Sequence, residues 1–196
     1  MTQAERRPLL QIIVASTRPG RIGDPIARWF ADYARASEGF EVEIVDLADV
    51  DLPMFAEPEH PRFGRYSLDS TKAFSATIAR ADAFAIVHPE YNHSYNAALK
   101  NALDHLNAEW ARKPVTLIGY GGVAAGARAA EALVPVLVGL QMVVAGSVPI
   151  PFAGQRVSGE GDQRTFDPAP ETEAGAKAAL DGLSSWLEIL GLRGSR

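Results

Sequence analysis

The stretch LLQIIVASTRPGRIGDPIARWF, Leu9 to Phe30, changes character twice. Leu9 to Ala15 is a short run rich in Leu, Ile and Val that breaks at Ser16-Thr17-Arg18-Pro19-Gly20, the pattern of a buried strand entering a loop. After the loop, Ile26, Trp29, Phe30 and Tyr33 recur at helical spacing, with Asp24 placed to cap the helix and Pro25 at its first position. A buried strand, a polar loop and an amphipathic helix make the first half of a βαβ crossover.

The same alternation continues outward. Glu41 to Leu47 alternates apolar and charged residues, as a half-buried strand near a sheet edge does. Prolines and charges dominate Asp51 to Tyr66, which reads as a long loop, and a helix is expected over Ser67 to Ala79. The apolar run Ala83 to Val87 opens onto His88-Pro89-Glu90-Tyr91-Asn92-His93-Ser94. Tyr95, Ala98, Leu99, Ala102, Leu103 and Leu106 then form one apolar stripe on a helix expected to run from Tyr95 to Asn107. Val115 to Gly119 is a fourth strand, followed by Tyr120-Gly121-Gly122 and a helix from about Gly126 to Gly139. Met142 to Ile150 is a last strand, residues 151–170 read as a flexible excursion, and a closing helix is expected over about 172–190.

Five strands alternating with helices imply a doubly wound five-stranded parallel sheet with helices on both faces, because right-handed crossovers cover each side. The 196 residues fit one domain over 1–196, and 47% hydrophobic residues supply a single core. Ligands in such sheets bind beyond the carboxyl ends of the strands, near the switch point. The loops after the first, third and fourth strands therefore form the candidate site.

Composition narrows the chemistry. With 19 basic and 24 acidic residues the formal net charge is -5, so no basic footprint for nucleic acid is present. A chain with no cysteine has no thiolate nucleophile and no thiol relay, so redox chemistry would need a bound cofactor. The apolar run after Arg6 and Arg7 is too short for a signal or a spanning segment, which suggests a cytoplasmic protein without membrane insertion. No His-Glu-x-x-His spacing or similar cluster suggests a metal.

In the first loop, Ser16, Thr17, Arg18, Arg21, Ile22 and Gly23 place hydroxyls, guanidinium groups and backbone amides before a helix N-terminus, an anion cradle. Without a Gly-Lys-Ser/Thr ending it suits a monophosphate better than a triphosphate. A solvated turn with surface arginines is an equal reading of this loop alone. In the second loop, Pro89 to Asn96 can present amides to a flat, hydrogen-bonding ring, whereas Glu90 could merely cap the following helix and His88 or His93 could serve as a hydrogen-bonded neighbour. Gly119 to Ala124 formally fits a G-x-G-x-x-A dinucleotide fingerprint, but the acidic residue expected roughly 20 residues on is missing from Gln141 to Gly146. Gly121 and Gly122 are therefore read as letting the backbone lie close to a ring or substrate.

Taken in order, Ser16-x-Arg18, Pro89-Glu90-Tyr91-Asn92-x-Ser94, Leu99-Lys100-Asn101-x-x-Asp104, Lys113-Pro114, Tyr120-Gly121-Gly122 and Arg128-Ala129 resemble the NADPH-dependent FMN reductase family over about residues 9 to 150. The resemblance implies a flavodoxin-like fold with FMN as cofactor and NADPH or NADH as electron donor. It implies that Ser16 and Arg18, with Arg21, Ile22 and Gly23, hold the FMN phosphate. Pro89, Glu90, Tyr91, Asn92 and Ser94 would meet the ring and ribityl chain, with Tyr120, Gly121 and Gly122 at the ring's far side. No catalytic side chain is implied, because the flavin carries the chemistry. Arg21 and Gly23 stand where many relatives have Ser and Asn, and Asn96 where they often have Pro. Reducing equivalents would pass to free flavin, a quinone, an azo compound or a metal oxyanion, and the protein would be a homodimer or homotetramer, with Trp110 as an aromatic for the interface or for packing on its own sheet. The alternatives are a non-catalytic flavodoxin-like electron carrier or flavin-binding sensor, and a nucleotide-dependent dehydrogenase built on Gly119 to Ala124.

Overall fold

The computed structural model describes residues 6–192, so both ends of the domain expected over 1–196 lie outside the described residues. In chain order the elements are β1 (Leu9–Val14), α1 (Gly23–Ala36), β2 (Glu41–Asp46), α2 (Leu47–Val50), α3 (Asp69–Ala79), β3 (Ala83–Pro89) and α4 (Ala97–His105). There follow β4 (Pro114–Tyr120), α5 (Ala127–Gly139), β5 (Val143–Ile150), β6 (Val157–Ser158), β7 (Thr165–Phe166) and α6 (Pro170–Ile189). The main sheet has five strands in the order β2-β1-β3-β4-β5, every pair parallel. This is the doubly wound, flavodoxin-like arrangement, and its switch point lies between β1 and β3.

Every residue of β1, β3 and β4 is buried, which is why these strands read as unbroken apolar runs. Their period of two splits the core. Leu10, Ile12 and Val14 face Ile26 and Phe30 of α1 and Leu183 and Leu187 of α6. Ile13, Phe84, Ile86 and Leu117 face Phe74 and Ile78 of α3, Leu99 and Leu103 of α4, and Leu133 and Leu137 of α5. At the edge, β2 is only half buried, and its Glu41 and Glu43 discourage further strand pairing.

Several local expectations are corrected. Ile22, not Asp24, is the N-cap of α1, and no side chain caps that terminus; Asp24 lies inside the first turn. Residues 95–96 and 106–107 are not helical, so α4 is shorter than its apolar stripe. Of the two placements open to Trp110, the structure shows packing on its own sheet: the ring is fully buried against Phe74 and Phe84, because the chain turns back under the sheet after α4. Residues 151–170 hold the antiparallel pair β6 and β7 and short 3-10 turns.

The long 51–66 segment is tied down by side chains. Asn101 on α4 accepts from the Phe55 amide at 2.8 Å and donates to the Pro53 carbonyl at 2.9 Å. The Glu57 carboxylate accepts from the Ser67 amide (2.8 Å), the Ser67 hydroxyl (2.7 Å) and the Leu68 amide (3.0 Å), so it caps α3 from a distance. Burial pushes this carboxyl up, but the hydrogen bonds from Ser67 and Leu68 outweigh it and hold it at about 2.

A folded-state value below the ordinary carboxyl value contributes stability that is complete above the unfolded value and is lost as pH falls toward the folded one. Glu57→Gln is therefore expected to lower the melting temperature at pH 7, with the gap to wild type closing between about pH 4.5 and about pH 2. Thermal melts across that range check it, and a gap independent of pH would assign the loss to packing.

Candidate functional site

The loops leaving β1, β3 and β4 meet at the carboxyl edge of the sheet. In the first, the Arg21 amide donates to the Arg18 carbonyl at 3.1 Å, closing a turn with Pro19 and Gly20 at its centre. Gly20 has φ +71°, so the Pro-Gly pair does what a type II turn demands. The turn delivers the chain to α1, whose first amides have no side-chain cap. That terminus, with the exposed Arg18 and the buried Ser16 hydroxyl beside it, has the donor set for a phosphate.

Arg21 is placed differently from its sequence reading. One of its terminal nitrogens donates to the Ser16 carbonyl at 2.9 Å and the other to Asp46 at 2.5 Å. Asp46, at the end of β2, uses its second oxygen to accept from the Ala48 amide and cap α2. Burial pushes the Asp46 carboxyl up against the opposing pull of the Ala48 amide and Arg21. Arg21 thus shapes the loop from behind.

The second loop is a tight reversal. Tyr91 and Ser94 exchange backbone hydrogen bonds of 2.9 and 3.0 Å, and Asn92 (φ +49°) and His93 (φ +67°) both adopt left-handed conformations between them. The Tyr91 amide is consumed inside the turn and is not available to a ring; Asn92 and Tyr91 face solvent at its tip. Glu90 does not cap the helix that follows it. Its carboxylate, 7% exposed, accepts from the backbone amide of Arg128 (3.2 Å) and from Arg128 Nε (2.5 Å), fastening the start of α5 to the end of β3. Asn96 donates to the Ala15 carbonyl at 2.7 Å, which proline could not do, and so ties the second loop to the first.

The third loop is governed by close approach. Gly126 has φ +79°, and an added Cβ would come within 2.6 Å of Tyr120 N and 2.7 Å of Gly119, so the chain can re-enter α5 only through glycine. A Cβ on Gly122 would meet nothing within 4 Å. The Gly122 position is thus open to a ligand rather than filled by the protein. Gly121 and Gly122 accept from the amides of Ala153 and Phe152 at 3.2 Å, which sets the half-exposed Phe152 ring beside them.

Three hydroxyls link the loops. Ser16 Oγ and the Tyr91 hydroxyl lie 3.0 Å apart. Tyr120 is buried, hydrogen-bonds Ser16, and is held neutral well above the ordinary tyrosine range by that burial. Its hydroxyl is 2.8 Å from where a Cβ on Gly23 would stand, so glycine there makes room for it. Pro89 is buried at the end of β3, and burial lowers its neighbour His88 to about 4, leaving it neutral beneath the loops. Among the described residues no group of three or more His, Asp or Glu side chains could hold a metal ion.

The structure therefore brings Ser16, Arg18, Ile22, Gly23, Tyr91, Asn92, Ser94, Tyr120, Gly121 and Gly122 to one edge, and sets Arg21, Pro89 and Glu90 behind it. Asp46 and Phe152 also stand at this edge, and Arg164, just before β7, reaches it through an ion pair with Asp24. Asp46 closes a strand at the ligand-bearing edge and was open to recognition; Phe152 and Arg164 lie in the irregular 151–170 segment, where no periodicity marks them.

The family described as NADPH-dependent FMN reductase matches residues 8–155. A NAD(P)H-dependent FMN reductase of Schizosaccharomyces pombe is 41% identical over 144 residues, 72% of each chain. An NADPH azoreductase of a Bacillus species is 31% identical over 116 residues, 58% of this chain and 60% of its own. In fold, the chain is similar to the flavoenzyme NAD(P)H:(acceptor) oxidoreductase FerB of Paracoccus denitrificans, with a TM-score of 0.62 at 20% identity over 95% of this chain and 99% of the other.

Gly126→Ala is expected to destabilise the protein by about 3 kcal/mol, since the methyl group collides with backbone and the conformation is left-handed. Chemical denaturation measures this; a change below about 1 kcal/mol would mean that the Gly119 and Tyr120 backbone yields easily.

Proposed function

The chain belongs to the NADPH-dependent FMN reductase family, and from that premise we propose how its own residues hold FMN. It is an FMN-dependent NAD(P)H oxidoreductase that passes electrons to a small acceptor. What supports the assignment of residues is one observation: an uncapped helix N-terminus and the open space at Gly122 are joined by the Ser16, Tyr91 and Tyr120 hydroxyls at the β1/β3 switch point.

In this reading Ser16, Arg18 and the amides at Ile22 and Gly23 receive the phosphate. Arg21 holds the Ser16 carbonyl and the turn in place. Tyr91, Asn92 and Ser94 face the ribityl chain and ring, while Pro89 and Glu90 fix the strand end and the start of α5. Tyr120 supports Ser16, and Gly121 and Gly122 let the ring lie flat with Phe152 at its border. When bound, FMN supplies the redox chemistry, and no side chain need act as acid or base. Arg18 forms no salt bridge among the described residues and draws an anionic dinucleotide to the mouth. Acceptors of the proposed range are free flavin, quinones, azo compounds and metal oxyanions.

We also propose a homo-oligomer in the cytoplasm. Trp110 gives the oligomer no support; exposed Val134 and Val138, one turn apart on α5, do. The absence of cysteine and of any described helix long and apolar enough to cross a membrane suits that compartment.

Fluorescence titration is expected to show near-stoichiometric FMN binding, weakened by about 1 to 3 kcal/mol in Arg18→Ala, the scale of a charge-assisted hydrogen bond. An unchanged dissociation constant would return Arg18 to the solvated surface. Anaerobic mixing with NADPH should bleach the bound flavin, and a quinone or free FMN should restore its colour. If NADPH and NADH both leave the flavin oxidised while dithionite reduces it, the carrier or sensor reading takes the place of this one.

A further inference from the structure

The helix that offers its N-terminus to a phosphate carries an acid in its own first turn. Asp24 is 15% exposed there, where the helix dipole already favours a negative charge. An unneutralised carboxylate at that place would compete with, and repel, an incoming phosphate dianion in surroundings that screen poorly.

Two guanidinium groups meet it. Arg28, one turn along, lies 3.5 Å from Asp24. The stronger partner comes from far away in sequence: Arg164 places one terminal nitrogen 3.3 and 3.2 Å from the two carboxylate oxygens. Its other terminal nitrogen is 3.5 Å from the carbonyl of Gly20, the left-handed residue of the phosphate turn, and its Nε donates to Gly161 at 3.0 Å. The Arg164 carbonyl accepts from Arg28 at 2.8 Å. The β6–β7 hairpin is held in this position by Phe166, buried and packed edge-on against Trp29 of α1 at 5.3 Å. The Arg164 side chain is 20% exposed, so the pair is largely shielded from solvent.

We propose that Arg164 is a positioning residue for the phosphate end of the cofactor: by neutralising Asp24 and bracing Gly20 it leaves the N-terminus of α1 free to bind a dianion. The inference rests on the FMN reading above and extends the site beyond the family-matched residues 8–155 into the hairpin that follows.

The test compares FMN with riboflavin, which has the same ring and no phosphate, by fluorescence titration of the full chain. Wild type is expected to prefer FMN. Arg164→Gln should weaken FMN about tenfold and leave riboflavin unchanged, a loss on the scale of one charge-assisted interaction. Asp24→Asn alone should bind FMN as tightly as wild type or more so. In the double variant Asp24→Asn/Arg164→Gln, FMN affinity should return to within about threefold of wild type, because the charge that needed a partner is gone. Riboflavin binding also reports that each variant is folded. A wild-type protein that binds FMN no better than riboflavin would overturn the phosphate-cradle reading itself. A wild-type preference for FMN that Arg164→Gln leaves intact would overturn the role of Arg164 alone, as would a loss that Asp24→Asn fails to restore.

Discussion

The architecture of the site depends on one topological constraint: β1 and β3 are hydrogen-bonded neighbours although β2 separates them in sequence. Their crossovers leave for opposite faces of the sheet, so the loops that follow them diverge and open a crevice between. Such a crevice would collapse or splay if nothing fixed its walls. Here the Asn96 side chain spans it to the Ala15 carbonyl, and the Ser16 and Tyr91 hydroxyls meet across it. The loops are irregular in backbone but held to each other by side-chain hydrogen bonds.

Charge at this edge is managed by pairing. Three carboxylates lie at the rim or just behind it, and each has an arginine: Asp46 with Arg21, Asp24 with Arg164 and Glu90 with Arg128. Each pair joins two segments distant in sequence, so each is also a tether. Pairing removes these acids as sources of repulsion toward an anionic ligand. Arg18, exposed and in no salt bridge among the described residues, is left at this edge without such a partner.

How much of this could be read from the chain follows the physics of each signal. Buried parallel strands must be apolar on both faces, so Leu9 to Ala15, Ala83 to Val87 and Val115 to Gly119 declared themselves. In the third loop left-handed φ together with close approach demands glycine at 126, whereas neither applies to the Gly121-Gly122 pair that stands out in the sequence. Partnership was not visible. Whether Arg21 faces a ligand or Asp46 is settled by where β2 ends, and whether Trp110 lies at the surface is settled by how the chain turns after α4. Asp24 illustrates the limit: an acid before a proline is the usual mark of a cap, yet the turn built by Pro19 and Gly20 sets the helix start two residues earlier.

Gly23, Arg21 and Asn96 form one linked arrangement in the first two loops. Glycine at 23 leaves the space that the Tyr120 hydroxyl fills, and that hydroxyl supports Ser16. Arginine at 21 fixes the carbonyl of the same Ser16 and takes its countercharge from Asp46, which in turn caps α2. Asparagine at 96 binds the carbonyl of Ala15, the residue immediately before it. All three residues therefore converge on a two-residue segment at the end of β1. Ser16, fixed through its carbonyl by Arg21 and through its hydroxyl by Tyr91, is held in place without a ligand, so that binding need not order it.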